Sequence, residues 1–114
     1  MSKDINTVIH TLVDVTANED AAEIDTIGSR DHISADADFY LSVTALVGTA
    51  PTADFSIIGT INGVEHILGA FTQASAGVTV EKITILNCPS RVLSRLVVGG
   101  TVTDLDATVT CVRF

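Results

Sequence analysis

The dipeptide Asn62-Gly63 lies between two runs in which apolar and polar residues alternate, and it constrains the fold more than any other feature of this chain. Asn-Gly favours a two-residue turn whose twist matches that of the flanking strands, so it predicts a β-hairpin. Such a turn also fixes which residues are opposite each other. The expected core face consists of the opposing pairs Ile61 and Val64, Gly59 and His66, Ile57 and Leu68, and Phe55 and Ala70.

The other face of this predicted hairpin is mostly polar but carries one apolar pair, Ile58 opposite Ile67. Neighbouring exposed apolar side chains mark candidate interaction sites, because isolated ones are common on protein surfaces but contiguous patches are not. The candidate partner interface comprises Tyr40, Leu46, Ile58, Ile67 and Phe71. The alternative is that the N-terminal segment covers this face within the same domain.

A further strand is predicted directly upstream of the hairpin, where apolar residues recur at every second position. Residues 48–52 contain Gly and Pro, which predicts a turn joining this strand to the hairpin. The three strands would then form a meander. The inward side chains of the upstream strand are expected to be Phe39, Leu41, Val43, Ala45 and Val47.

Other strand-like segments are separated by turn residues. They are expected within residues 1–17, with residues 1–7 as a loose arm, at residues 23–27, and at residues 78–85 with a bulge at Glu81 and Lys82. About seven or eight short strands, with turn signals about every 8 to 12 residues, are typical of an antiparallel β-sandwich of jelly-roll or immunoglobulin-like type.

A closing hairpin is predicted around Gly99-Gly100. In that hairpin Arg95 would lie opposite Asp104 or Asp106, which is a favourable cross-strand charge pair. A Val-Gly dipeptide followed by Thr and Asp occurs both in residues 46–54 and in residues 97–106. This similarity suggests two equivalent corners.

The composition predicts one all-β domain spanning residues 1–114. Hydrophobic residues make up 46% of the chain and aromatic residues 4%, so Val, Ile, Leu and Ala must fill the core, and the β-branched residues among them favour sheet. The net charge of −8 and the dispersed basic residues argue against nucleic-acid binding. No apolar run has the length of a membrane-spanning segment.

The N-terminal residues lack the apolar stretch of a secretory signal, which predicts folding in a cytosol. Thiols stay reduced in that compartment. We therefore expect Cys88 and Cys111 to be free, buried or half-buried thiols, with a disulfide between them as the alternative.

The titratable side chains show no catalytic or metal-binding motif, so the sequence predicts neither an enzyme nor a cofactor. His66 is expected to pack in the core beside Gly59. His10 and His32 are isolated in the sequence, which argues against a transition-metal site. Asp31, Asp36 and Asp38 are candidate calcium ligands, but the residue spacing of a dedicated calcium loop is missing. Asp104 and Asp106 are expected to be an exposed structural pair, with paired glycosidase carboxylates as the alternative.

Four segments of the chain resemble the small accessory virion proteins of tailed bacteriophages. They are Asp25-Thr-Ile-Gly28, Val47-Gly-Thr-Ala-Pro-Thr52, Phe71-Thr-Gln-Ala74 and Arg95-Leu-Val-Val-Gly-Gly-Thr101. The resemblance covers most of the chain from residue 23 onward. It implies a β-sandwich that binds the major capsid protein and self-associates, with a trimer as one arrangement, on the capsid surface after assembly in the host cytoplasm.

The expected function is therefore that of a capsid decoration or cement protein that stabilises the shell. The alternative is a carbohydrate- or receptor-binding β-sandwich module on a virion or cell surface. Sugar binding usually requires exposed aromatic rings. This chain has no Trp, one Tyr and four Phe, which favours the structural role.

Overall fold

The structure, a computed structural model, describes residues 5–26, 34–75 and 77–113. The described residues form strands and connections without any helix, and every strand pairing is antiparallel, which confirms the predicted all-β class. No helix of these ranges has the length and hydropathy to cross a membrane. The strands are β1 (Ile5–Leu12), β2 (Glu19–Asp20), β3 (Ile24–Asp25), β4 (Ser34–Ile61), β5 (Val64–Ala70), β6 (Thr79–Pro89) and β7 (Arg91–Arg113).

Two long strands, β4 and β7, pair along most of their length and form a central ribbon, from Ala37 opposite Arg113 to Ile58 opposite Leu93. At one end of the ribbon, β6 extends the sheet beside β4 and β1 extends it beside β7. At the other end, β5 lies beside β4, and β2 and β3 lie beside β7. We call these two ends layer 1 and layer 2.

The two layers pack face to face as a β-sandwich. His10 of layer 1 meets Phe55 of layer 2 edge to face, with ring centroids 6.5 Å apart. A Cβ atom on Gly69 of layer 2 would lie 3.1 Å from the side chains of Ile83 and Ile85 in layer 1. One continuous apolar cluster between the layers contains Ile9, Leu12, Ala37, Phe39, Leu41, Val43, Leu46, Ala53, Phe55, Ile57, Phe71, Ala74, Ile85, Cys88, Val92, Leu96, Val102, Leu105, Ala107, Val109 and Cys111.

The ribbon bends where residues 46–54 of β4 face residues 97–106 of β7, the two segments that contain the Val-Gly dipeptides. The β4–β7 register shifts between Val47 and Gly48 and again between Thr49 and Thr52, which is opposite Gly99. Bulges of this kind let a strand turn without losing its partner. The predicted equivalence of the two corners therefore corresponds to a single bend made by both strands.

Two predicted turns are therefore wrong. Residues 48–52 do not connect a third strand to the hairpin, because β4 runs through them as one strand. Gly99-Gly100 does not close a hairpin, because it lies inside β7. Consequently Arg95 is opposite Ser56, far along the ribbon from Asp104 and Asp106.

Smaller irregularities also differ from the prediction. The strand β1 includes residues 5–7, so the prediction of a loose arm is wrong for these residues, and residues 1–4 are outside the described residues. The short strand near residues 23–27 is reduced to β3, and Ile27 is likewise not described. The bulge of β6 lies between Ile85 and Cys88, where Asn87 has a φ of 51°, and not at Glu81 and Lys82.

Candidate interaction surface

The β4–β5 hairpin has the predicted register near its turn. Ile61 is opposite Val64, Gly59 opposite His66 and Ile58 opposite Ile67. Further from the turn Leu68 is an extra residue, so Ile57 is opposite Gly69 and Ser56 is opposite Ala70. The bulge shifts the predicted pairs of Ile57 and Phe55 by one residue.

The predicted core face of the hairpin ends at Gly59. A Cβ atom there would lie 2.7 Å from Leu68 and 3.3 Å from Pro89, the last residue of β6, so layer 1 reaches this position. Beyond it Ile61 and Val64 are 45% and 56% exposed. The hairpin tip thus overhangs layer 1.

His66 is exposed on this overhang, so its predicted core position is wrong. The buried histidine is His10, whose Nδ1 lies 2.9 Å from Ser94 Oγ and whose Nε2 lies 2.8 Å from Glu19 Oε2. A serine, a histidine and a carboxylate in a row suggest catalysis, but Ser94 is fully buried and no substrate can reach its hydroxyl. The hydrogen-bonded row of Ser94, His10 and Glu19 links the two layers. His32 is outside the described residues.

Ile58 faces outward but is covered, being only 2% exposed. Arg95 on β7 is opposite Ser56, and Glu65 on β5 is opposite Thr60, so Ile58 lies between these two positions on the same face. Arg95 Nη2 reaches Glu65 at 3.2 Å and Asp20 at 2.8 Å. The ion pair therefore crosses β4 above Ile58, and the aliphatic part of the arginine is in position to cover it.

The predicted five-residue interface does not form one patch. Leu46 is buried because a register shift between Val43 and Ala45 reverses the alternation, which leaves Val47 exposed instead. Phe71 is 5% exposed, and its N–H donates to the carbonyl of Phe55. Ile67, at 70%, and Tyr40, at 39%, remain exposed.

The two exposed members of the predicted interface lie on opposite sides of the sandwich. Tyr40 is on the outer face of layer 1, where its strand neighbours are Lys82 and Thr110, whereas Ile67 is on the outer face of layer 2. The alternative expectation was that the N-terminal segment covers the face that carries Ile58 and Ile67. For β1 this is wrong, because β1 pairs with β7 in layer 1. We call the exposed residues Ile61, Val64 and Ile67 the hairpin surface.

Three acids gather beside the bend. Oxygens of Asp14, Asp104 and Asp106 lie within 4.8 Å of one another, and the backbone N–H of Asp14 donates to Asp106 at 2.7 Å. Burial, followed by the hydrogen bond with Asp14 and the charge of Asp106, raises the pKa of Asp104. Asp104 therefore keeps its proton to a higher pH than an isolated aspartate in water does.

The other predicted acids serve strand pairing. Asp36 accepts a hydrogen bond from the N–H of Asn87, and Asp38 accepts one from the Thr84 hydroxyl and lies 3.9 Å from Lys82. Both carboxylates therefore already have partners on β6. Asp31 is outside the described residues.

Arg113 was not singled out from the sequence, because a basic residue near the end of a chain is usually exposed. It is 2% exposed, and its guanidinium donates to the Thr26 hydroxyl and to the carbonyl oxygens of Ala35, Cys88 and Pro89. It thereby satisfies backbone groups from several strand ends at once.

The two cysteines lie near this arginine and are buried, as predicted. Burial raises the pKa of Cys88 and raises that of Cys111 to about 11. Both are therefore protonated and unreactive near neutral pH. Their reduced state remains a prediction, which thiol titration of the denatured chain would test.

No protein-family model and no curated protein sequence matches this chain.

Proposed function

We propose that this chain is a non-catalytic structural protein that attaches to the major capsid protein of a tailed phage as a decoration or cement protein. The observation that carries the proposal is the hairpin surface. Its three apolar residues are 45–70% exposed on a hairpin that overhangs the sandwich. The resemblance to accessory virion proteins supplies the class of partner.

The hairpin surface is suited to docking because it is apolar and held in place. Ile61 and Val64 lie on one face of the tip and Ile67 lies on the other, so a groove could enclose the tip. The Arg95 and Glu65 side chains connect β5 to β7 across β4 and stiffen the hairpin. A rigid apolar projection loses little conformational entropy when it binds.

The distribution of aromatic rings favours this role over sugar binding. Phe39, Phe55 and Phe71 are buried, and Tyr40 is the exposed ring among the described residues. A sugar-binding face normally stacks its ligand on exposed rings. The net charge of −8 further favours a protein partner over the packaged nucleic acid.

The test is co-sedimentation of the purified chain with capsids assembled from the major capsid protein of the same genome. We expect saturable binding, and we expect Ile67→Glu to weaken it by about tenfold or more, because a charge in a desolvated contact is costly. The control is Val13→Glu, since Val13 is 68% exposed away from the hairpin. Thermal melts of both variants should match that of the parent chain.

Two results would overturn the proposal. One is the absence of binding to capsids at chain concentrations up to about 0.1 mM, which is far above the dissociation constants of stable complexes. The other is binding that both Ile67→Glu and Val64→Glu leave unchanged, because the hairpin surface would then have no part in it.

A further inference from the structure

The open edges of the sandwich differ in how well they could accept another strand. The outer strands β1 and β5 each contain a register irregularity, and β2 and β3 have two residues each. Bulges and short strands are common ways in which proteins block their edges. The strand β6 also has a bulge, between Ile85 and Cys88, but it pairs with β4 without interruption over the seven residues from Thr79 to Ile85. This run is longer than any uninterrupted run of β1 or β5, and no described strand pairs with the other side of β6.

The sequence of β6 is complementary to itself when two copies are aligned antiparallel about Ile83. Val80 of each copy is then opposite Leu86 of the other, and Lys82 is opposite Thr84. Alignment about Glu81 or about Lys82 would instead place like charges opposite each other, which is destabilising. Alignment about Ile83 avoids both like-charge contacts and is the register that places Val80 opposite Leu86.

The exposure of β6 agrees with this register. Val80 and Leu86 are 73% and 69% exposed, and both belong to the outer face of layer 1. The side-chain nitrogen of Lys82 lies 3.9 Å from Asp38 on the same face, so the lysine is directed towards the neighbouring strand β4. Pairing would bring Val80 of one copy against Leu86 of the other at two places, one on each side of the two-fold axis.

We propose that β6 is a homodimer interface, in which β6 of a second copy pairs antiparallel about Ile83 and joins two layers 1 into one continuous sheet. This inference rests on β6 alone and is independent of the capsid proposal, which rests on β5 and the hairpin tip. A two-fold contact of this kind produces a dimer, in place of the trimer that the family resemblance allows.

Sedimentation equilibrium of the chain tests the dimer. We expect the mass to rise from 11.9 kDa towards twice that value as the concentration increases to about 1 mM, where even weak complexes form. Val80→Lys should raise the dissociation constant about tenfold or more, because its charge faces Leu86. The matched control is Val13→Lys, which changes a similarly exposed valine outside β6.

A mixture of variants tests the pairing itself. Val80→Lys and Leu86→Glu should each weaken the homodimer, and mixing the two chains should restore association, because one of the two contacts becomes an ion pair and the other stays native. A constant mass of 11.9 kDa at every concentration, or a dimer insensitive to Val80→Lys, would overturn the proposal.

Disulfide formation tests the register. A chain with Lys82→Cys and a chain with Thr84→Cys should cross-link when mixed under mild oxidation, because opposing residues of paired strands fall within disulfide range. Either variant alone should not, since each position would be diagonal to its own copy. Cross-linking of Lys82→Cys with itself would overturn the register about Ile83.

Discussion

Two glycine-containing segments that were both predicted to close a hairpin fold in different ways. Asn62-Gly63 closes a hairpin, with φ values of 53° and 78°, whereas Gly100, with a φ of 65°, lies inside β7 at the bend of the ribbon. A Cβ atom on Gly63 would meet nothing within 4 Å, but one on Gly100 would lie 2.0 Å from the carbonyl oxygen of Ala50. The turn needs glycine for its own dihedral angles, and the bend needs it because a second strand crosses there.

The largest expected effect on stability comes from replacing these glycines, and it distinguishes the need for a positive φ from the need for space. Gly100→Ala should lower the free energy of unfolding by about 3 kcal/mol or more, because it combines strain at positive φ with a backbone clash. Gly63→Ala should cost only about 1 to 2 kcal/mol, since it has the dihedral cost alone. Urea unfolding of both variants measures the difference, and equal losses would show that the bend relaxes around the added methyl group.

A second pair of variants compares the buried Ile58 with the exposed Ile67 of the hairpin. Ile58→Ala should cost about 2 to 4 kcal/mol, because a side chain that is 2% exposed leaves a cavity. Ile67→Ala, at a site 70% exposed, should change stability by less than about 0.5 kcal/mol. Similar losses at both sites in denaturant unfolding would contradict the cover that Arg95 provides.

The cover itself can be weakened without altering the apolar residues. Glu65→Gln removes one charge from the Arg95 network at a site where the two side chains are 30% and 55% exposed. We expect only a small loss of stability in dilute buffer, because exposed ion pairs contribute little. The loss should shrink in 1 M salt, where the charges are screened over about 3 Å. A loss independent of salt would assign the effect to packing.

The smallest effect on stability is expected at Asp104 beside the bend, where the direction of the pH dependence is informative. The raised pKa of Asp104 means that the folded chain holds this proton more tightly than the unfolded chain does. Stability is therefore fully present below the ordinary carboxyl pKa and falls as the pH rises through the raised value. Asp104→Asn should flatten this decline and stabilise the chain at pH 7 while changing little at pH 3. Thermal melts across this range would show the opposite slope if the carboxylate were instead held by a cation.

Sequence patterns were reliable where neighbouring residues decide the structure. The Asn62-Gly63 turn and the pairs closest to it depend on dihedral preferences within a few residues, so their register was predictable. The all-β class followed from the alternation of β-branched residues. The exposed position of Ile67 was predictable for the same reason, since it lies within five residues of the turn.

Other features depended on residues far apart in the chain. Each bulge reverses the alternation behind it, which buried Leu46 and shifted the partner of Ile57. The charged cover of Ile58 joins Arg95 to Glu65, residues from separate strands. No local pattern encodes such contacts, because they depend on which strands become neighbours.

The sequence by itself determined that this chain forms antiparallel strands and that it turns sharply at Asn62-Gly63. Only the tertiary structure decided that residues 46–54 and residues 97–106, which both contain a Val-Gly dipeptide, face each other in one bend. Turn chemistry acts over a few bonds and is written in adjacent residues. The pairing of β4 with β7 is decided by burial of the shared core, and the steric need for Gly100 arises only once Ala50 lies opposite it.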